Sequence, residues 1–275
     1  MILHLALAAT VVAAGAPESV RWESQWTVAL KKARAARKPI MVDFWADWCG
    51  WCQRLDQTTY VDPEVVRLSR DFIPVKVDTE GGSRQTAIAL KYEVTTLPTI
   101  LFLSPAGNPV LRISTYQGPG QFPATMNAAK ETAARVMAWE DTLRTDGSNA
   151  VALAEFGVHL FEQESYRDAK DLLGRARKLD GKRPLSERKR TRLLLAGVQK
   201  SEDRFAESEA VIKEALELPP APEFDARLHY LLGRLYAAWG KPGLARAALK
   251  TCINHYPHHP ITPKARDSLE ALDRK

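Results

Sequence analysis

Two cysteines separated by two residues, Cys49 and Cys52, are the side chains best suited to chemistry in this sequence. An apolar run over residues 39–45 precedes them and a helical pattern begins at Gln53, so we expect a strand that leads into a helix. A thiol at a helix N-terminus lies among unpaired backbone N–H groups, which lower its pKa from about 8.5 to roughly 3.5–7.5. Cys49 is therefore the predicted nucleophile, and Cys52 is the predicted resolving thiol that attacks a mixed disulfide formed at Cys49.

Two other interpretations of the cysteine pair are half of a zinc site and a purely structural disulfide. Tetrahedral zinc needs four ligands, and the remaining cysteine, Cys252, lies far along the chain. A structural disulfide would close a very short loop and contribute little chain entropy. The flanking Trp48 and Trp51 suit an exposed contact surface better. Redox chemistry is therefore the favoured interpretation, and we expect no metal and no cofactor.

Three segments resemble a known family in their order and spacing: residues 38–52 (KPIMVDFWADWCGWC), 62–65 (DPEV) and 97–102 (LPTILF). Together they resemble the thioredoxin family, and in particular the periplasmic C-terminal thioredoxin-like domain of the membrane reductant carrier DsbD. The resemblance extends over roughly residues 20–135. It implies an α/β thioredoxin fold, in which helices sandwich a mixed sheet, and thiol–disulfide oxidoreductase activity.

The resemblance also implies roles for individual residues. Asp43 falls where the family keeps a buried acid that accepts a proton from the resolving cysteine, and burial raises the pKa of such a carboxyl. Pro98 matches the proline that the family holds in the cis form facing the active site. Leu97 before it would offer backbone groups to an extended substrate segment. Gly118 falls near the glycine of the last substrate-facing loop. Trp48 and Trp51 complete the expected substrate-binding surface.

Two features of this region leave alternatives open. Asp43 could instead be a strand-edge carboxylate paired with a lysine, and Lys76 matches the strand lysine that lies near the acid in thioredoxins. The dipeptide between the cysteines, Gly50-Trp51, departs from the Gly-Pro of thioredoxins and from the small or apolar pairs of DsbD-like domains. A neutral tryptophan supplies no cation to stabilise the Cys49 thiolate, which favours a reductant over an oxidant.

Composition and the N-terminal segment bear on location and partners. The chain has 275 residues, a formal net charge of +6 and 45% hydrophobic residues, which is typical of a globular protein with one or two domains. Its basic residues alternate with acids on helix-like segments, so we interpret them as solvated faces and expect no nucleic-acid partner. Residues 1–16 form an uncharged apolar run ending in small residues. It predicts a signal peptide and export to the periplasm or beyond.

The rest of the chain predicts two domains. We expect a helix over 19–37 to open a thioredoxin-like domain (17–146), with the boundary at Asp146-Gly147-Ser148. Beyond it, small residues recur with offsets of twelve and seven in three copies, and the pattern resembles the tetratricopeptide repeat, a pair of antiparallel helices. Three repeats and a capping helix would fill 149–275. The small positions are Gly157, Ala169, Ala176, Ala196, Ser208, Ala215, Gly233, Ala245 and Cys252.

The sequence thus predicts an exported thiol–disulfide oxidoreductase, with disulfide reduction in envelope proteins as its role. Its expected partners are protein substrates with disulfides, an upstream thiol electron donor such as a membrane reductant carrier, and a protein that binds the repeat groove. The alternative is an envelope scaffold or adaptor whose thioredoxin-like domain is mainly a docking module. The groove should carry side chains of the first helices: Phe161, Arg190, Lys200, Arg227, Tyr230 and Arg234.

Overall fold

The computed structural model describes residues 18–274, so the predicted signal peptide lies outside the described residues. The chain forms two compact units. Of the described residues, one unit comprises those up to Gly107 together with Arg112–Glu131, and the other comprises Asn108–Leu111 and those from Thr132 onward. Within residues 18–274, no helix is both long enough and apolar enough to cross a membrane.

The N-terminal part of the chain contains a four-stranded mixed sheet. Its elements are, in chain order, α1 (Trp26–Ala36), β1 (Ile40–Trp45), α2 (Gly50–Arg54), a π-helical turn (Leu55–Thr59), α3 (Pro63–Ser69), β2 (Ile73–Asp78), α4 (Ser83–Lys91), β3 (Thr99–Leu103), β4 (Pro109–Ile113) and α5 (Phe122–Thr145). The strand order in the sheet is β2-β1-β3-β4. Strand β1 pairs with β2 in parallel and with β3 in antiparallel orientation, so the predicted mixed sheet is confirmed.

The alternation of side chains along β1 decides where its one acid lies. Residues 40, 42 and 44 are buried in an apolar core that also includes Ala33 of α1 and Ile88 of α4. Because successive side chains of a strand point to opposite faces, Met41 and Asp43 face the other side of the sheet. Both are fully buried there. The sequence therefore places a carboxyl group in the interior.

The predicted helix over residues 19–37 was wrong in its first part, because α1 begins only at Trp26. The segment before it is extended and lies along the outer edge of β2. The N–H group of Glu23 donates to the Pro74 carbonyl at 2.9 Å, and that of Lys76 donates to the Glu23 carbonyl at 3.3 Å. These long-range hydrogen bonds satisfy backbone groups that the edge strand would otherwise leave unpaired, and they outweigh the local helical periodicity.

Three helix pairs and a further helix form most of the second unit. The small residues at the predicted offsets, including Ala169, Ala196 and Ala245, are fully buried where the helices pack together. The predicted helical array is therefore confirmed. Its helices are α6 (Ala150–Glu162), α7 (Tyr166–Leu179), α8 (Leu185–Ser201), α9 (Phe205–Glu217), α10 (Pro222–Ala238), α11 (Pro242–His255) and α12 (Thr262–Asp273).

Gly233 of α10 shows why a small residue is needed at these positions. A Cβ atom there would lie 2.6 Å from Cγ of the buried Leu249, whereas a Cβ at Gly197 of α8 would meet nothing within 4 Å. Gly233→Ala should therefore lower the free energy of unfolding by about 1 kcal/mol through overpacking. Gly197→Ala should raise it by about 1 kcal/mol through helix propensity. Denaturant unfolding followed by circular dichroism tests this, and effects of the same sign would contradict it.

Candidate functional site

The two cysteines form a disulfide at the start of α2. Cys49 is the N-cap of this helix, and its Sγ accepts a hydrogen bond from the Cys52 N–H at 3.1 Å. Both residues are buried, with 4% of Cys49 and 1% of Cys52 exposed. Strand β1 ends at Trp45, four residues before Cys49, as the apolar run predicted. A helix N-terminal N–H aimed at this sulfur would stabilise a thiolate once the disulfide is reduced.

Asp43 lies on β1, the strand that leads to the disulfide. It is fully buried, and neither of its oxygens has a hydrogen-bond partner among the described residues. Lys76 Nζ lies 3.4 Å from its Oδ2. Burial raises the pKa of Asp43 from its ordinary value of 3.8 to about 6, with Lys76 opposing the rise and Asp56 adding to it. A carboxyl with this pKa can accept and release a proton near neutral pH.

The ammonium group of Lys76 lies among aromatic rings next to Asp43. Its Nζ is 5.4 Å from the ring centroids of Trp22 and Trp45 and 5.7 Å from that of Tyr60. It also donates a hydrogen bond to Asp56 Oδ1 at 2.5 Å. The sequence predicted Lys76 but not these neighbours. Only the position of Asp56, one helical turn after Cys52, gave a local signal.

The two tryptophans beside the cysteines are strongly exposed, 67% for Trp48 and 59% for Trp51. Trp48 Nε1 donates to Glu80 Oε1 at 2.7 Å. The ring of Trp51 instead packs on Tyr116, with centroids 5.2 Å apart and a tilt of 36°. Two large apolar side chains therefore flank the disulfide and present contact area to solvent, each held by a different neighbour.

Leu97 and Pro98 immediately precede β3. The bond between them is cis, Pro98 is buried and Leu97 is partly buried. Because Phe44 pairs with Thr99, Pro98 lies at the end of β1 from which the chain continues to Cys49. No described residue forms a backbone hydrogen bond with Leu97.

Gly118 lies in the loop before α5. Its carbonyl accepts hydrogen bonds from the N–H groups of Gln121 and Phe122, each at 3.0 Å, and so starts that helix. A Cβ atom at Gly118 would lie 3.3 Å from the Tyr116 hydroxyl. The structure thus brings Gly118 to Tyr116, the residue on which Trp51 packs. Tyr116 was missed by sequence reasoning, although it lies only two residues before the glycine.

The predicted groove residues of the repeats are exposed or partly exposed. Arg190 pairs with Glu162 at 2.8 Å, and Arg234 donates to the Tyr230 hydroxyl at 3.1 Å. In the described part of the chain, no group of three or more His, Cys, Asp or Glu side chains could hold a metal ion.

Comparison with known proteins agrees with the site geometry. Residues 21–105, which contain Asp43, both cysteines and Pro98, match a family model described as thioredoxin-like. Residues 226–259 match the tetratricopeptide repeat. The chain therefore has a thioredoxin-like domain followed by a region with a tetratricopeptide repeat.

Curated relatives include two thiol:disulfide interchange proteins named DsbD. The protein of Vibrio vulnificus strain CMCP6 is 37% identical over 82 residues, 30% of this chain and 14% of that protein. The protein of Salmonella typhi is 33% identical over 98 residues, 34% of this chain and 17% of that protein. The alignments thus span less than a fifth of these relatives.

Among solved structures, the oxidised C-terminal domain of Neisseria meningitidis DsbD matches with a TM-score of 0.33 and 23% identity. The match covers 39% of this chain and 97% of that one.

Proposed function

We propose that this protein is an exported thiol–disulfide oxidoreductase that reduces disulfides in envelope proteins through the Cys49–Cys52 dithiol. The observation that carries the proposal is the placement of Cys49 at the N-terminus of α2, with the Cys52 N–H directed at its sulfur. The buried Asp43 on the strand leading to this helix supplies a proton acceptor with a pKa of about 6. A docking module would need neither feature.

The proposed reaction transfers two electrons to the substrate. The Cys49 thiolate attacks one sulfur of a substrate disulfide, forms a mixed disulfide and releases the first substrate thiolate. Cys52 gives its proton to Asp43 and attacks Cys49 Sγ, which releases the second substrate thiolate. The substrate is reduced and the pair becomes the Cys49–Cys52 disulfide. An upstream dithiol donor, such as a membrane reductant carrier, then returns two electrons and two protons to it.

The dipeptide between the cysteines supports the reducing direction. Trp51 carries no charge, and its ring packs on Tyr116. The Cys49 thiolate would therefore be stabilised mainly by helix N–H groups, without the adjacent cation that makes strongly oxidising pairs favour the reduced form.

Substrate proteins would bind across the residues that surround the disulfide. Trp48 and Trp51 supply exposed apolar contact area, and Leu97 supplies backbone groups for an extended segment next to the reacting cysteine. Pro98 and Gly118 would shape the floor and the edge of this surface, because a larger residue at Gly118 would crowd Tyr116. The substrate class is thus an accessible protein disulfide in a locally extended segment.

The repeats would recruit a protein partner, because helical repeats present extended surfaces without chemistry of their own. We place the boundary between the thioredoxin-like domain (17–146) and the repeats (149–275) at the turn around Gly147. Residues 1–16 would act as the export signal, which fits a site that works in an oxidising compartment.

The test is an equilibrium titration of the cysteine pair in glutathione and dithiothreitol buffers, together with reduction of insulin disulfides. We expect a potential near that of thioredoxin, about −270 mV. We also expect Cys49→Ser to abolish insulin reduction and Cys252→Ser, at a buried thiol of the second unit, to leave it unchanged. A potential near about −120 mV would refute the reducing direction. If the pair did not interconvert between disulfide and dithiol, the alternative that the protein is a scaffold would be favoured.

A further inference from the structure

Among the described residues, the charged or titratable groups that act on Asp43 are Lys76, Asp56 and Tyr60. Lys76 is its direct neighbour on β2, Asp56 projects from the π-helical turn, and the Tyr60 hydroxyl lies just beyond that turn. Tyr60 is fully buried and its pKa is raised well above its ordinary value, mainly by burial and next by Asp43, so it stays neutral. The cysteines do not titrate while they form the disulfide. The balance of charge at Asp43 therefore depends on Lys76 and Asp56.

Lys76 lies closer to the Asp56 carboxylate than to the Asp43 carboxylate. Its Nζ donates to Asp56 Oδ1 at 2.5 Å, whereas its distance to Asp43 Oδ2 is 3.4 Å. No described residue makes a well-aligned hydrogen bond to Asp43, although the Lys76 ammonium and the Tyr60 hydroxyl both lie close enough to lower the pKa of Asp43. Asp56 is about half exposed, so it anchors the ammonium group on the solvent side. The rings of Trp22 and Trp45 lie beside that group.

We propose that Asp56 is a positioning residue for the thiol chemistry, because its hydrogen bond to Lys76 keeps the ammonium group from bonding fully to Asp43. Asp43 then has a positive charge nearby but accepts no short, well-aligned hydrogen bond from it. The catalytic meaning of this arrangement rests on the proposed function. The arrangement itself is a matter of ion-pair geometry and can be tested without turnover.

The physical consequence is a carboxyl group of intermediate basicity. A buried carboxylate that accepts a charged hydrogen bond is a weak base, since the bond stabilises its ionised form. A buried carboxyl with no cation nearby would stay protonated and could not accept a proton from a thiol. By holding Lys76 at an intermediate distance, Asp56 keeps Asp43 between these limits. The pKa of about 6, to which burial, Lys76 and Asp56 all contribute, agrees with this balance.

The test is a ¹³C NMR titration of the Asp43 side-chain carboxyl in the oxidised full-length protein. Asp56→Asn should free Lys76 to bond Asp43 and lower the measured pKa of Asp43 by about one unit. Lys76→Gln should raise it. If Asp56 acts by positioning Lys76, the effect of Asp56→Asn should fall to less than half in the Lys76→Gln background. An equal effect in both backgrounds, or no effect of the single variant, would overturn the proposal.

Two further variants complete the design. Asp56→Glu keeps the charge and should hold the pKa of Asp43 closer to the wild-type value than Asp56→Asn does. Asp71→Asn removes another exposed aspartate that pairs with a lysine, Lys130, and should leave the pKa unchanged. Because the titration needs no turnover, a protein that fails to reduce insulin but shows the expected shifts would refute the proposed function alone. Missing shifts in an active protein would refute the positioning role alone.

Discussion

Asp43→Asn should raise the free energy of unfolding of the oxidised protein by about 3 kcal/mol at pH 7 and leave it nearly unchanged below about pH 4. The buried carboxyl has a pKa of about 6 in the folded protein and an ordinary value of 3.8. Between these values the folded state binds more protons than the unfolded state, so stability falls as the pH rises. Asparagine does not ionise, so the variant does not lose this stability as the pH rises.

The measurement is a set of denaturant unfolding curves for both proteins between pH 3 and pH 8, with the disulfide intact. Asp47→Asn is the matched control, since Asp47 is an exposed aspartate four residues further along the chain. The free energy of unfolding of Asp47→Asn should differ from that of the wild-type protein by an amount that does not grow with pH. A gain for Asp43→Asn that is the same at all pH values would contradict the assignment of a raised pKa to this group.

Asp43→Asn should stabilise the protein but slow its reaction. Without a carboxylate to take the proton of Cys52, the mixed disulfide at Cys49 should persist, and its resolution should slow by about 100-fold at pH 7. Quenching the reaction with acid and separating the mixed disulfide by mass measures this lifetime. A more stable protein with a slower reaction would show that the buried acid is retained for chemistry at a cost in stability.

The spacing of the cysteines predicted their place at the start of a helix, and the family resemblance predicted a buried acid at Asp43. Cys49, Cys52 and Asp43 lie within ten residues of one another, so a strand that leads into a helix fixes their relative positions. The partners of Lys76 could not be predicted in this way. Trp22 reaches it because an extended segment pairs with β2, and Asp56 reaches it from a π-helical turn. Both depend on contacts that no local periodicity encodes.

In the helical region, too, some features could be predicted from the sequence and others could not. The spacing of small residues predicted the helix pairs, because close approach of two helices requires a small residue at a fixed offset. The basic residues of α8 were interpreted as a solvated face, and for two of them this was wrong. Lys189 and Arg192 are buried, and Arg192 pairs with Asp180 at 2.5 Å and with Glu214 at 2.7 Å. Asp180 follows the end of α7, and Glu214 and Asp225 belong to α9 and α10, so the local pattern of α8 carries no sign of the pairing.

Lys189 is the fully buried member of an ion pair between α8 and α10. Its Nζ donates to Asp225 Oδ1, and Asp225 Oδ2 accepts from the Ala221 N–H at 2.8 Å. Lys189→Met should therefore lower the free energy of unfolding by about 3–5 kcal/mol, because it leaves the buried Asp225 carboxylate without its cation. The pair of Lys213 with Glu209 offers a control in which the lysine side chain is exposed, and Lys213→Met should cost less than about 1 kcal/mol.

A double variant separates the loss of the pair from the cost of the charge left behind. In Lys189→Met with Asp225→Asn, no buried charge remains and the amide oxygen can still accept from the Ala221 N–H, so much of the lost stability should return. Denaturant unfolding of the four proteins gives the coupling between the two sites. If the double variant were as unstable as the two single losses added together, Lys189 would contribute through packing of its aliphatic stem rather than through its charge.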